Sequence, residues 1–243
     1  MSRPFVRPFV LVHGAWHGAW CWSRVLPRLR AAGREAHALT LTGLADRRHQ
    51  LSADIRLRTH VDDVAGLIEF EELDDVILVG HSYAGMVITG VADALLARGS
   101  KALRHLVYVD AIVPRPGESW SSTQSPETVA ARLQAVKEAG GAGIPPPPAE
   151  ALGLRGEDAA WVDRRMTPQP AGIYQDPLAF DAGRVAGLPR TFIDCVSPAL
   201  PTIAESRRRV RSEPGWSVIE LATGHDAMVS APEELSRLLL AVK

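Results

Sequence analysis

Between residues 76 and 98 the chain commits to one kind of turn. Val76-Ile77-Leu78-Val79 is a short, continuous apolar run rich in β-branched residues, the pattern of a strand buried on both faces. It passes at once into Gly80-His81-Ser82-Tyr83-Ala84-Gly85, and then into an apolar helical segment that ends near Arg98. A strand that turns this sharply into a helix pushes the central serine out above the carboxyl edge of a sheet. The turn is so tight that the residues two positions to either side must be small. Gly80 and Ala84 fill those places; alanine departs from the more usual second glycine but is still small. The arrangement presents Ser82 as a nucleophile, against the plainer reading that it caps the helix.

The rest of the chain repeats the strand-then-helix order. Apolar strands are expected at Phe9–Val12, 35–41, Leu103–Val109, 191–196 and Trp216–Leu221. Helices are expected from about Ser23 to Gly33, over 54–70, and at the end from Pro232 to Val242. Alternation of this kind demands a parallel sheet with right-handed crossovers. The expected class is therefore α/β, with a mostly parallel central sheet of about six strands flanked by helices. The pattern breaks over 114–187, which holds most of the prolines, including the run Pro145-Pro146-Pro147-Pro148. Trp120, Leu133, Trp161, Ile173, Tyr174 and Phe180 in that stretch need a packing partner, so it reads as a cap inserted between core segments 1–113 and 188–243. There is no internal repeat.

At 243 residues, 46% of them apolar, one such domain with a modest insertion is affordable. The formal charge of −1 generates no field that would gather nucleic acid or an anionic membrane. The one basic run, Arg207-Arg208-Arg209 with Arg211, reads as a solvated helix face. Cys21 and Cys195 belong to no CxxC pair, which points to neither zinc nor a disulfide framework and makes a reducing cytoplasm the expected location. No secretory signal and no membrane span is expected, because the apolar run at Phe9–Val12 is short and leads straight into a Gly-rich loop.

Two further segments bear on chemistry. Gly224-His225-Asp226 follows the last strand, where a histidine can reach the serine from the far side of the site. Among eight histidines, position singles out His225 as the general base. His13-Gly14-Ala15-Trp16 follows the first strand, and the backbone N–H groups of Ala15 and Tyr83 are the expected oxyanion donors. His13 and His81 are expected to support these turns rather than carry protons. The side chains of Trp16, His17 and Tyr83 are expected to line the substrate pocket.

The run FVLVHGAWHGAWCW at 9–22, the elbow GHSYAG and the tail GHDAMVSAPEEL resemble one branch of the α/β-hydrolases. That branch includes plant hydroxynitrile lyases, plant methylesterases of the salicylate-binding type and related bacterial esterases. The resemblance spans nearly the whole chain and is weakest through the cap. It implies an α/β-hydrolase fold, no cofactor, and a small carboxylic ester as substrate. The lyases carry a threonine where this chain has Gly14 and a lysine where it has Asp226, so ester hydrolysis is favoured over cyanohydrin cleavage.

The same resemblance leaves the third triad member open. The family's usual aspartate follows the penultimate strand, but that loop here reads Cys195-Val196-Ser197-Pro198-Ala199-Leu200-Pro201. Asp110, at the end of the strand Leu103–Val109, is the favoured replacement. The alternatives are Asp194, inside its strand, or a dyad in which Ser197 or water holds the imidazole. The expected function is cofactor-independent ester hydrolysis through an acyl-enzyme. Rival readings are lactone, C–C or C–O cleavage, or a weakly hydrolytic ligand-binding protein. A homodimer is compatible with the sequence.

Overall fold

The computed structural model describes residues 7–242; residues 1–6 and Lys243, at the outer ends of the expected core segments, lie outside the described part. The elements run, in chain order, β1 (Phe9–Val12), α1 (Leu26–Ala31), β2 (Ala36–Leu39), α2 (Leu57–Phe70), β3 (Val76–His81), α3 (Ala84–Ala97) and β4 (Leu103–Val109). Then come α4 (Pro126–Glu138), β5 (Gly143–Ile144), α5 (Gly156–Asp163), β6 (Gln169–Pro170) and α6 (Ala182–Ala186). The chain closes with β7 (Arg190–Cys195), α7 (Ala204–Ser212), β8 (Trp216–Leu221), α8 (Ala227–Ser230) and α9 (Pro232–Ala241). Six strands form one parallel sheet in the order β2-β1-β3-β4-β7-β8, as the alternation demands.

The central strands are apolar throughout because both faces are covered. Val76, Ile77, Leu78 and Val79 are fully buried, each stabilised by roughly 1.5–3 kcal/mol relative to exposure. Alternate residues feed two cores. Val10, Val12 and Leu78 join the layer of α2 and α3, while Phe9, Leu11 and Ile77 join that of α1 and α9.

Strand order also fixes where a site can form. The chain leaves β1 for β2 on one side and returns to β3 on the other, so the carboxyl ends of β1 and β3 flank a topological switch point. Val12 lies in register with Gly80, and His81 with Val109. The residues after β1, β3 and β4 therefore emerge side by side.

Some boundaries differ from the expected ones for local reasons. The strand expected over 35–41 ends at Leu39 because side chains capture the next backbone donors: Leu41 N–H donates to His13 Nε2 (3.0 Å) and Thr42 N–H to Asp63 Oδ2 (2.7 Å). The helix expected from residue 54 starts at Leu57, whose N–H is taken by Asp176 (2.8 Å). Over 114–187 there are three α-helices, three 3-10 turns and the antiparallel pair β5–β6; its Trp120, Ile173 and Tyr174 are buried against the sheet's helical layer. No helix among the described residues is long and apolar enough to cross a membrane.

The basic run is a correction. In α7 Arg208 faces water as expected, with 72% of its side chain exposed, and Arg211 is exposed at 41%. The side chains of Arg207 and Arg209 keep 13% and 7% exposure because carboxylates wait on the inner side, the buried Asp110 and Asp194 for Arg207 and the part-buried Glu118 for Arg209. Arg209 makes a two-point contact with Glu118 (2.6 and 2.8 Å) and donates to Val113 O (2.8 Å), tying α7 to the segment after β4.

Candidate active site

The turn after β3 is as tight as its sequence requires. Ser82 has φ of 55°, a left-handed value that costs a non-glycine residue on the order of 1–3 kcal/mol. A Cβ on Gly80 would sit 2.8 Å from Ala84 O, and one on Gly85 only 2.0 Å from Ile112 O. The crowding thus falls on Gly80 and Gly85, which explains why alanine is accepted at position 84. Trp16 after β1 and Asp110 after β4 also have positive φ, 66° and 42°. Three adjacent strand ends therefore carry strained residues, the expected mark of a functional edge.

These ends hold a continuous set of hydrogen bonds. His225, brought back over the sheet by the loop after β8, lies with Nε2 2.9 Å from Ser82 Oγ and Nδ1 2.6 Å from Asp110 Oδ2. Asp110 accepts at Nδ1, so that nitrogen carries the proton and Nε2 is free to accept from the serine hydroxyl. Asp110 is fully buried and Ser82 half-buried. Asp194 instead binds Arg207 and Arg211. Ser197 N–H donates to Thr223 O (2.9 Å).

The loop after β1 packs directly on the elbow. A Cβ on Gly14 would meet His81 Nδ1 at 2.7 Å and Ser82 Cβ at 2.8 Å, so His81 already fills the space a threonine would need. His13 Nδ1 donates to Gly14 O (2.8 Å) and its Nε2 accepts from Leu41 N–H. Gly14 O and Ala15 N–H belong to one planar peptide, so this bond also sets the direction of the Ala15 N–H. Burial lowers His13 to about 3, keeping it neutral for this role. Among the described residues, no protein acceptor engages the N–H of Ala15 or Tyr83.

Asp226, next to His225, is fully buried, and its carboxylate lies within 4.8 Å of ring nitrogens of both His81 and His225. It accepts from His17 Nε2 (3.1 Å) and lies 3.6 Å from His81 Nε2. His17 Nδ1 also donates to Ala15 O (2.7 Å). Burial opposes the charge on His17, but the Asp226 carboxylate outweighs it and raises His17 above its usual 6.5. Asp226 in turn is held at about 2, against the upward push of burial, chiefly by His17. His17 is thus a buried partner of Asp226, which corrects its expected place on the pocket wall. His81 Nε2 donates to the His225 carbonyl (3.0 Å), and burial together with His225 keeps it neutral.

Trp16 is 7% and Tyr83 1% exposed. The Trp16 indole donates to Ile144 O (3.0 Å), and its backbone N–H to Gln169 Oε1 (3.0 Å). Tyr83 O–H donates to His60 Nδ1 (3.0 Å), since His60 Nε2 is committed to Thr42 O (2.9 Å). Both rings pack on Trp120, and Arg132 of α4 lies over the Trp16, Trp120 and Tyr174 rings. The sequence does not single out His60, Gln169 or Arg132, and it offers Arg207 only as part of a basic run on a solvated helix face. Each lies far along the chain from its partner and sits in no catalytic motif.

A parallel sheet with a strained serine at this elbow, facing a histidine from the last loop, defines an α/β hydrolase. The chain belongs to the alpha/beta hydrolase family, whose sequence profile matches residues 9–238, and it is an enzyme of the family's esterase branch. It is 40% identical to the carbendazim hydrolyzing esterase of Nocardioides sp. (strain SG-4G), over 96% of this chain and 98% of that one. It is 28% identical to methylesterase 7 of Arabidopsis thaliana, over 96% and 94% of the two chains. Among solved structures, an extracellular alpha/beta-hydrolase from a Paenibacillus species superposes with a TM-score of 0.82 at 20% identity, covering 96% of this chain and 98% of that one. That last likeness is one of fold.

Proposed function

We propose that the protein hydrolyses small carboxylic esters with Ser82 as nucleophile, His225 as general base and Asp110 as the acid that orients it. The observation that carries this reading is the unbroken path from Asp110 Oδ2 through the imidazole to Ser82 Oγ. In the first half-reaction Ser82 Oγ attacks the ester carbonyl as its proton passes to His225 Nε2. The Ala15 and Tyr83 N–H groups receive the oxyanion, a contribution of several kcal/mol in such sites. The imidazolium, steadied by Asp110, then protonates the leaving alkoxide. Water repeats the path to free the acyl-enzyme.

Residues 114–187 act as the cap over this edge, and the rings of Trp16, Tyr83 and Trp120 supply apolar surface beside it. The free, buried Cys21 and Cys195 suit a reducing cytoplasm. The substrate named for the Nocardioides relative makes carbendazim the first specific ester-hydrolase substrate to try.

The test is hydrolysis of p-nitrophenyl acetate, p-nitrophenyl butyrate and carbendazim by wild type, Ser82→Ala and Asp110→Asn, with fluorophosphonate labelling in parallel. Loss of turnover and labelling in Ser82→Ala, with a fall of about 10⁴ in kcat for Asp110→Asn, is the expected result. A wild type that neither turns over nor labels would sink the reading.

A further inference from the structure

The carboxylate of Asp110 has two oxygens, and only Oδ2 faces His225. Its Oδ1 accepts from Arg207 Nη2 at 2.6 Å. Arg207 is held on every side. Its Nε donates to Asp194 at the end of β7, Nη1 to Leu200 O (2.6 Å), and Nη2 also to Cys195 O (3.2 Å). Four of the five guanidinium N–H groups can thus be committed, in a plane whose direction the side chain cannot change without losing several bonds. Cys195 and Leu200 bracket the loop in which the family resemblance leads one to look for the acid, and in which this chain has no carboxylate. The arginine therefore stitches the acid-less loop after β7 to the aspartate that ends β4.

We propose that Arg207 is the positioning residue of the relocated acid: it fixes the rotamer of Asp110 and balances its charge, so that Oδ2 stays on His225 Nδ1. The inference rests on Asp110 being the triad acid. Asp110 sits at φ of 42° at the end of a strand, with no side chain in its own turn to hold its carboxylate. It is wholly buried, and an ionised carboxylate there needs a counter-charge besides the transient imidazolium. Arg207 supplies that charge at 13% side-chain exposure. Asp194 keeps a second cation, Arg211 (2.7 Å), which also reaches Glu220 (2.8 Å), so Arg207 is not consumed by Asp194 alone.

The charged and titratable groups around this centre set the sign of the pH effect. His225, His81, His17 and Asp226 lie on one side, and Asp194, Arg211, Glu220 and Cys195 on the other. Replacing Arg207 by Met removes one positive charge from this set and leaves the rest. The imidazolium is then favoured, and the acid limb of the kcat/KM profile moves to higher pH, by on the order of one pH unit.

The experiment compares wild type, Arg207→Met, Arg207→Lys and Asp110→Asn on p-nitrophenyl butyrate from pH 5 to 9, with active sites counted by fluorophosphonate. Arg207→Met is expected to lower kcat per labelled site about 10–100-fold, the usual loss when an outer partner is removed. KM should change little and the acid limb should move up. Arg207→Lys restores the charge but not the planar fork, so its acid limb should match wild type while kcat stays reduced. Should Arg207→Met not fold, Arg207→Met with Asp194→Asn removes two opposite buried charges together and is judged by kcat per labelled site, since its net charge is unchanged. Wild-type kcat per labelled site with an unmoved acid limb overturns the proposal. So does a loss confined to the number of labelled sites, since that is a purely structural effect. If Asp110→Asn itself retains wild-type kcat, the acid assignment fails instead, and the two failures are told apart.

Discussion

At the scale of single residues, buried histidines limit the freedom of the loop that packs beside Ser82. His13 pins the peptide that carries Ala15 N–H, and His17 pins the carbonyl of Ala15 itself. The His17–Asp226 pair makes stability depend on pH in a defined direction. Asp226 is held at about 2 in the folded protein against 3.8 in an unfolded chain, so its contribution is present above 3.8 and lost as pH falls toward 2. His17 is raised above 6.5, so its contribution is full below 6.5 and fades as pH rises through the raised value. The pair therefore stabilises most between roughly pH 4 and 6.5. Thermal unfolding of wild type and Asp226→Asn at pH 6 and pH 9 should show a larger stability gap between the two proteins at pH 6. An equal gap at both pH values would refute the linkage. Gly14→Thr tests the contact between loop and elbow. Its Cβ has no room beside His81 and Ser82, so a loss of about 1–3 kcal/mol in urea unfolding is expected, with reduced turnover.

Elements meet here through backbone close approaches and through arginines turned inward. The start of α3 lies against the chain after β4, where Gly85 faces Ile112 O and Ile112 N–H donates to Ser82 O (2.9 Å). Gly85→Ala therefore forces the two elements apart. It should lower the unfolding midpoint by several degrees and misplace Ser82 and Asp110 together, whereas Ala84→Gly should leave activity near wild type. Helix α7 shows the second mode. Arg209 grips Glu118 and Glu205 while Arg207 reaches Asp110, so one helix holds both the end of β4 and the first residues of the insertion. Glu118→Gln should cost about 1–2 kcal/mol by denaturant unfolding, discounted because Glu118 remains 24% exposed. An unchanged midpoint would show that the contact is solvent-screened.

For the whole molecule, burial is uneven between the sheet and the insertion. Strands β3 and β4 are buried almost throughout, whereas α4 has no buried residue and rests on the aromatic cluster through Arg132 and a few half-buried side chains. Local opening follows contact density, so α4 should exchange its amide protons at free energies well below those of β3 and β4. Hydrogen exchange resolved by element checks this; equal protection in α4 and β3 would rule out a cap that opens independently. Such opening would expose Trp16 and Trp120 without disturbing the Ser82–His225–Asp110 bonds, which belong to the sheet edge.

Much of this was legible in the chain because it depends on local rules. The apolar runs at Phe9–Val12 and Leu103–Val109, the small residues around Ser82, and the strand-helix alternation each follow from backbone sterics and burial, which act over a few residues. Ser82, His225 and Asp110 could be nominated because each stands just past a strand, and parallel strands deliver their carboxyl ends to one edge. The buried groups that hold these three and their loops in place were not legible. Arg207 looked like one of several surface arginines, and His17 like a pocket residue, since nothing nearby in sequence marks Asp110, Asp194 or Asp226 as their destination. Whether a charge faces water or a buried carboxylate is set by which elements the sheet order brings together. That order is a property of the folded whole, because desolvation and Coulomb attraction act across space and carry no signature of sequence distance.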